Sequence, residues 1–250
     1  MISANRFSRV GISWALRIFG LVTLAAGTLA SMLIKERSTS RRTIVLDFSV
    51  FRGVPFIVLF LAGAIEVFSL YVPSYFLPLF AHSMGLTTST GAALVAAFQV
   101  CAAIGRVGSG YACDMLGATN TLLIATATNA ISMLAIWPVS DTLGLLALFA
   151  ALNGLANGAF FVSFPMVIAK NVEPGQAPAG MSLAITGWTP GYLLGSPIAG
   201  ALIGLTGAEK STSIEPYRAA IFYAGGVAAV STICVMFARL RLDKKLIKKL

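Results

Sequence analysis

Glu66 and Arg106 each lie deep inside a long apolar run, where a charge is costly and usually retained for a purpose. Arg106 stays cationic at any accessible pH and offers five donors in a planar fork that matches a carboxylate. Its chemistry is therefore anion binding. Gln99 stands two helical turns earlier on the same face and extends a polar strip through Ala102 or Ala103. A second reading makes Arg106 a structural charge near a helix end, snorkelling or paired with Asp114. Glu66 falls near the middle of its apolar run, on a face that also carries Ser69 and Pro73, and a carboxyl there can carry a proton as water access alternates. Hydrogen bonding to a neighbouring helix is the other reading. Asn153 and Asn157 share a helical face, and their carboxamides suit either a ligand or an adjoining helix. Phe160 and Phe161 follow them as an apolar wall.

The elements that must position these residues are membrane helices. The chain of 250 residues is 57% hydrophobic and 11% charged, with a mean hydropathy of +0.86, too apolar for a soluble globule. Seven runs are long enough to cross a hydrocarbon core: Gly11–Ile34, Pro55–Phe80, Thr90–Ala112, Asn120–Val139, Leu143–Ala169, Gly180–Leu205 and Tyr217–Leu240. They are continuous rather than alternating, which predicts helices and not barrel strands. The fold class is thus an all-α, integral, multi-pass membrane protein.

Lys35, Arg37, Arg41, Arg42, Arg52, Lys170, Arg239, Arg241, Lys244, Lys245, Lys248 and Lys249 fall on one side of that layout. Arg6, Arg9, Lys210 and Arg218 fall on the other, so the first side is predicted to be cytoplasmic. This asymmetry accounts for the net charge of +9 without nucleic acid, and the basic tail at 241–250 has membrane lipid as its partner if it has one. Cys101, Cys113 and Cys234 are scattered at spacings that fit neither a disulfide framework nor a metal site, and the single histidine, His82, sits in a short connection. No metalloprotease or nucleophile-elbow pattern occurs, and Gly108 and Gly110 open a dinucleotide-like pattern that ends at Cys113 outside any βαβ context. The chain reads as neither an enzyme nor a cofactor or metal protein.

Four stretches in order, Tyr71–Phe80, Gly105–Asp114, Asn153–Phe161 and Gly187–Gly200, carry a resemblance to the major facilitator superfamily, in its fungal monocarboxylate-transporter-like branch. The resemblance covers nearly the whole chain but only the second half of the family's twelve-helix fold. It implies that 1–34 is like family helix 6, with Trp14 and Arg17 as part of the match. It makes 35–54 the cytoplasmic loop between halves, 55–240 a six-helix bundle like family helices 7 to 12, and 241–250 a cytoplasmic tail. Gly105, Gly110, Asp114 and Gly117 would form the family's cytoplasmic loop signature. Two departures stand out: Met115 replaces the basic residue expected after the Asp, and Ala102 stands where animal carriers place an Asp before the helix 8 Arg.

Glycine spacing predicts close helix contacts. Gly187, Gly191, Gly195 and Ala199 form one ridge without bulk, and Ala150, Gly154 and Gly158 form another. Pro73, Pro78, Pro165, Pro190 and Pro197 interrupt backbone bonding and mark bends or gating points. The reading that combines these features with the resemblance is secondary transport of a small organic anion, a monocarboxylate, by alternating access with proton symport. Arg106 would hold the anion, Gln99, Asn153 and Asn157 would orient it, and Glu66 would carry the proton. Two alternatives stay open: a half-transporter acting as an interaction subunit, paired as a homodimer or with a full-length relative through its glycine ridges, and an incomplete gene model. Plasma membrane is the default location.

Overall fold

A computed structural model describes residues 12–33, 48–173, 175–206 and 215–242. The chain divides into two compact units, 1–43 and 44–250. The first contributes helix α1 (Ile12–Leu33), which carries no acidic or basic residue in its end turns. Its threonines bond back along the helix itself. Thr23 and Thr28 donate to the carbonyls of Phe19 and Leu24, and Arg17 lies over the Trp14 ring at 5.3 Å.

The second unit contains α2 (Val54–Leu70), α3 (Val72–Ser83), α4 (Thr88–Leu116), α5 (Ala118–Ile131), α6 (Leu143–Lys170), α7 (Ala177–Thr186), α8 (Thr189–Leu205) and α9 (Arg218–Leu242). Six helices among the described residues are long and apolar enough to cross a membrane, with α2 and α3 counted as one and α1 included. The expected span Gly180–Leu205 is instead the pair α7 and α8, broken at Gly187 and Trp188. Pro190 has no N–H to return to the Thr186 carbonyl, so the ladder fails there. Pro73 does the same one residue into α3, and Tyr71 becomes the break between α2 and α3. Farther along, α5 passes into a π-turn at Ser132–Ile136, where the Trp137 N–H reaches back five residues to the Ser132 carbonyl.

One expectation about α4 changes. The Gly105–Asp114 signature is helical to its end rather than a loop, and the helix runs to Leu116. Gly117 alone connects it to α5, at φ +89°, a left-handed conformation that glycine adopts without steric cost. Asp114 is exposed in the last turn of α4. Most of the 35–54 segment, the 243–250 tail, Arg6, Arg9 and Lys210 lie outside the described residues, as does the side chain of Arg52.

Tight backbone contact fixes the bundle. A Cβ on Gly158 would lie 1.9 Å from the Ala102 carbonyl oxygen, and one on Gly154 would lie 2.5 Å from that of Phe98. Gly105 answers from the other side, 2.3 Å from the Leu155 carbonyl oxygen by the same construction. Helices α4 and α6 therefore cross at a distance only glycine permits. Gly187, Gly191 and Gly195 seat α7 and α8 against Phe60, Val67 and Phe68 of α2. That ridge is consequently filled within the bundle, which removes it as a free surface for pairing with a second chain. Gly108 and Gly110 have open space around them.

Two apolar clusters result. One gathers Phe80, Phe98, Met133, Trp137, Phe149 and Ile221, and the other Phe56, Leu122, Phe160, Phe164, Trp188 and Val235. Along α5, α6 and α9 the buried polar residues Asn129, Asn153 and Ser231 fall between the stretches that feed the two clusters. At the far end, Asn120 accepts from the Nε of the buried Arg239 and donates to the Leu116 carbonyl at 2.7 Å, tying α9 to the start of α5.

Because the α4 to α6 crossing leaves no room for a side chain, Gly158→Val is expected to lower the apparent melting temperature in detergent by several degrees or abolish the monodisperse protein. Gly108→Val, on open surface, should leave it nearly unchanged. Fluorescence-detected size-exclusion thermostability measurements compare the two.

Candidate functional site

Two constellations bring the predicted residues together, and they are separate. The first is a fully buried polar layer. Glu66 on α2 is 0% exposed, and its Oε1 accepts from Asn129 Nδ2 of α5 at 2.6 Å. Asn129 Oδ1 in turn accepts from Asn153 Nδ2 of α6 at 2.7 Å, and the same amide donates to Ser132 Oγ at 2.9 Å. Ser132 donates to the Asn129 carbonyl at 2.9 Å, and Ser69 donates to the Glu66 carbonyl at 2.8 Å. Ser231 of α9 donates to the Ala62 carbonyl of α2 at 2.8 Å. Two acceptors in this layer, Glu66 Oε2 and Asn153 Oδ1, have no hydrogen-bond partner.

Both asparagines are engaged within the bundle rather than open to a ligand. Asn153 is fully buried and bonded to α5, while Asn157 donates to the Leu70 carbonyl at 3.0 Å, at the end of α2. Both carboxamide donors join helices, which was the alternative reading of the pair. The i, i+4 spacing placed them on one face but could not say that the face turns inward.

Asn129 and Ser132 were missed, although an Asn nine residues into the span Asn120–Val139 is itself an intramembrane polar group that calls for a partner. What sequence spacing did not show is that the π-turn beginning at Ser132 directs that hydroxyl toward Asn153.

The second constellation is open. Arg106 is exposed on α4, as is Gln99 two turns away, and Ala102 between them is buried against α6. Asp114 does not pair with Arg106, and no described acidic group does. The guanidinium instead sits over the Phe161 ring of α6, 5.7 Å from its centroid. α4 continues to Leu116, so Arg106 lies about 15 Å from the end of a 29-residue helix at the ordinary helical rise.

Aromatic rings adjoin Arg106 through Phe161. Tyr71, in the break between α2 and α3, lies 6.4 Å from Phe161 and 5.3 Å from Tyr192 of α8. Trp188, in the break between α7 and α8, contacts Phe161 at 5.8 Å and Tyr192 at 6.4 Å. The two chain breaks are thus bridged by rings, with the cation at one edge. The cysteines are free, and no group of His, Cys, Asp or Glu among the described residues is arranged to hold a metal.

Comparison with known proteins agrees with this architecture. Residues 59–249 match the family described as the Major Facilitator Superfamily. The chain is 27% identical over 254 residues to an MFS-type transporter of Gibberella moniliformis, covering 97% of this chain and 58% of that protein. It is 25% identical over 233 residues to the aspyridones efflux protein of Emericella nidulans, covering 93% of this chain and 47% of the relative. Against the riboflavin transporter of Saccharomyces cerevisiae the figures are 27% over 251 residues, 92% and 46%. The chain spans about half the length of these relatives.

Removing the Asn129 donor strands a buried carboxyl, so Asn129→Leu should cost on the order of 1–3 kcal/mol of stability. Glu66→Leu combined with Asn129→Leu should cost less than the sum of the single changes, because both partners are then apolar. Reversible unfolding in mixed micelles supplies the four measurements of this cycle.

Proposed function

The chain belongs to the Major Facilitator Superfamily, and on that premise we propose that it works as the second half-bundle of a secondary transporter that moves an organic anion across a membrane by alternating access. The observation that carries this reading is Arg106: a cation within a membrane-length apolar helix, exposed, with no acidic partner among the described residues and set over the face of Phe161. A cation within a membrane helix is costly, and part of that cost is recovered when an anion meets it. A monocarboxylate is the smallest ligand that fits the guanidinium's fork. Gln99, exposed on the same helix, is a further donor to that ligand. The names of the relatives, an efflux protein for aspyridones and a riboflavin transporter, support organic solutes as the class of cargo.

The two chain breaks supply the moving parts. Helices interrupted at Tyr71 and at Gly187–Trp188 can pivot there without breaking a continuous hydrogen-bond ladder, and Pro73 and Pro190 keep each ladder interrupted. Proton coupling falls to Glu66. It is fully buried with its Oε1 tied to Asn129, so a proton is exchanged there only when the helices separate enough to admit water. Protonation and helix separation are linked by that geometry, which is what a symporter requires. The plasma membrane is the default site of action.

Uptake of a radiolabelled carboxylate by cells carrying the protein should fall about tenfold or more in Arg106→Gln, the loss expected for a hydrogen bond to a charged group. Transport that survives this change removes Arg106 from the site. Glu66→Gln should abolish accumulation driven by an inward proton gradient while leaving counterflow of preloaded substrate. A variant that still accumulates substrate against its gradient would exclude Glu66 as the coupling group.

A further inference from the structure

Small aliphatic carboxylates need only the guanidinium, yet the face beside Arg106 is built largely of rings. Phe161 lies under the cation, Tyr71 and Tyr192 approach to 5.3 Å, and Trp188 packs against both Phe161 and Tyr192. Tyr75 adds a ring 6.4 Å from Tyr71. These are not all packing residues: Tyr75 is 61% exposed and Tyr192 is 43% exposed, on elements whose buried faces are already filled. A phenol ring left open in an apolar bundle offers a π-face to whatever occupies the space before it. Packing alone would be served as well by Leu or Ile, which stand exposed elsewhere on α8 at Leu193 and Ile198.

We infer that the face around Arg106 selects planar, conjugated organic anions, whose rings stack against Tyr71, Phe161 and Tyr192 while the acid group meets the guanidinium. This rests on the reading of Arg106 as the anion site and narrows it from carboxylates in general to aromatic acids. Offset or edge-to-face ring contact favours such a ligand over a saturated one of the same charge and size. Tyr71 and Trp188 sit in the chain breaks, so a ligand stacked there touches the points about which α3 and α8 would pivot. Recognition and the moving parts then share residues.

Calorimetric titration of the detergent-purified chain with 2-naphthoate, with decahydronaphthalene-2-carboxylate and with 2-naphthylmethanol separates the contributions of charge and ring. The expected order is 2-naphthoate tightest, with the saturated acid about tenfold weaker, in keeping with the loss of one or two stacking contacts. Tyr192→Leu should weaken 2-naphthoate about three- to tenfold without affecting the saturated acid, and Tyr192→Phe, which keeps the ring, should restore it. Equal affinity for the two acids, with both weakened alike by Arg106→Gln, overturns the aromatic selectivity and leaves the anion site standing. Acids that bind Arg106→Gln as tightly as the unaltered chain overturn the anion site, and the selectivity with it. Tyr192→Phe no better than Tyr192→Leu also overturns the stacking role.

Discussion

The contact on which the bundle depends is the approach of α4 and α6 at Gly105, Gly154 and Gly158. In lipid, apolar side chains gain little by leaving the solvent, since the solvent is itself apolar, and helices are held by van der Waals fit and by internal hydrogen bonds. Fit of that kind improves as backbones close in. Where a Cβ on Gly158 would fall 1.9 Å from a carbonyl oxygen, the absence of a side chain is the condition for the crossing itself. Arg106 is one residue beyond Gly105, and Phe161 is three beyond Gly158. The same contact that joins the helices therefore seats the cation on its ring.

The buried polar layer serves a different end. Glu66, Asn129, Asn153 and Ser132 link α2, α5 and α6 through three side-chain hydrogen bonds, all within the low-dielectric interior. Directional bonds set helix register in a way that packing of leucines cannot. Two unpartnered acceptors remain, however, and a layer that is not fully satisfied is a place where rearrangement costs less than in the apolar clusters on either side. That combination of specificity and incomplete satisfaction suits an element that must hold one arrangement and yet leave it.

The ring-lined face and the polar layer are distinct in the structure, one open and one sealed, but they meet along α2. Glu66 lies five residues before Tyr71, where the helix breaks, and Asn157 bonds to the carbonyl of Leu70 just ahead of that break. Less than two turns of helix thus separate the layer from the break. The physical connection is short and made of named groups, which is the form coupling between a proton and a solute would take.

The sequence alone determined the class of molecule and the rough extent of its apolar runs, though not that Gly180–Leu205 is two helices, because continuous apolar runs and isolated charges within them have few physical explanations. Glu66 and Arg106 were legible for that reason, as were the glycine spacings. The family resemblance was legible in four ordered stretches. What only tertiary structure decided was which polar residues turn inward. Asn153 and Arg106 are equally plausible ligands by spacing, yet one is bonded inside the bundle and the other stands open. Helical periodicity gives angles between residues on one helix but not the neighbour that will cover a given face. The breaks at Tyr71 and Gly187–Trp188 follow from Pro73 and Pro190, but the π-turn at Ser132 and the ring cluster joining α3, α6 and α8 depend on where separate helices meet, which no one-dimensional spacing contains.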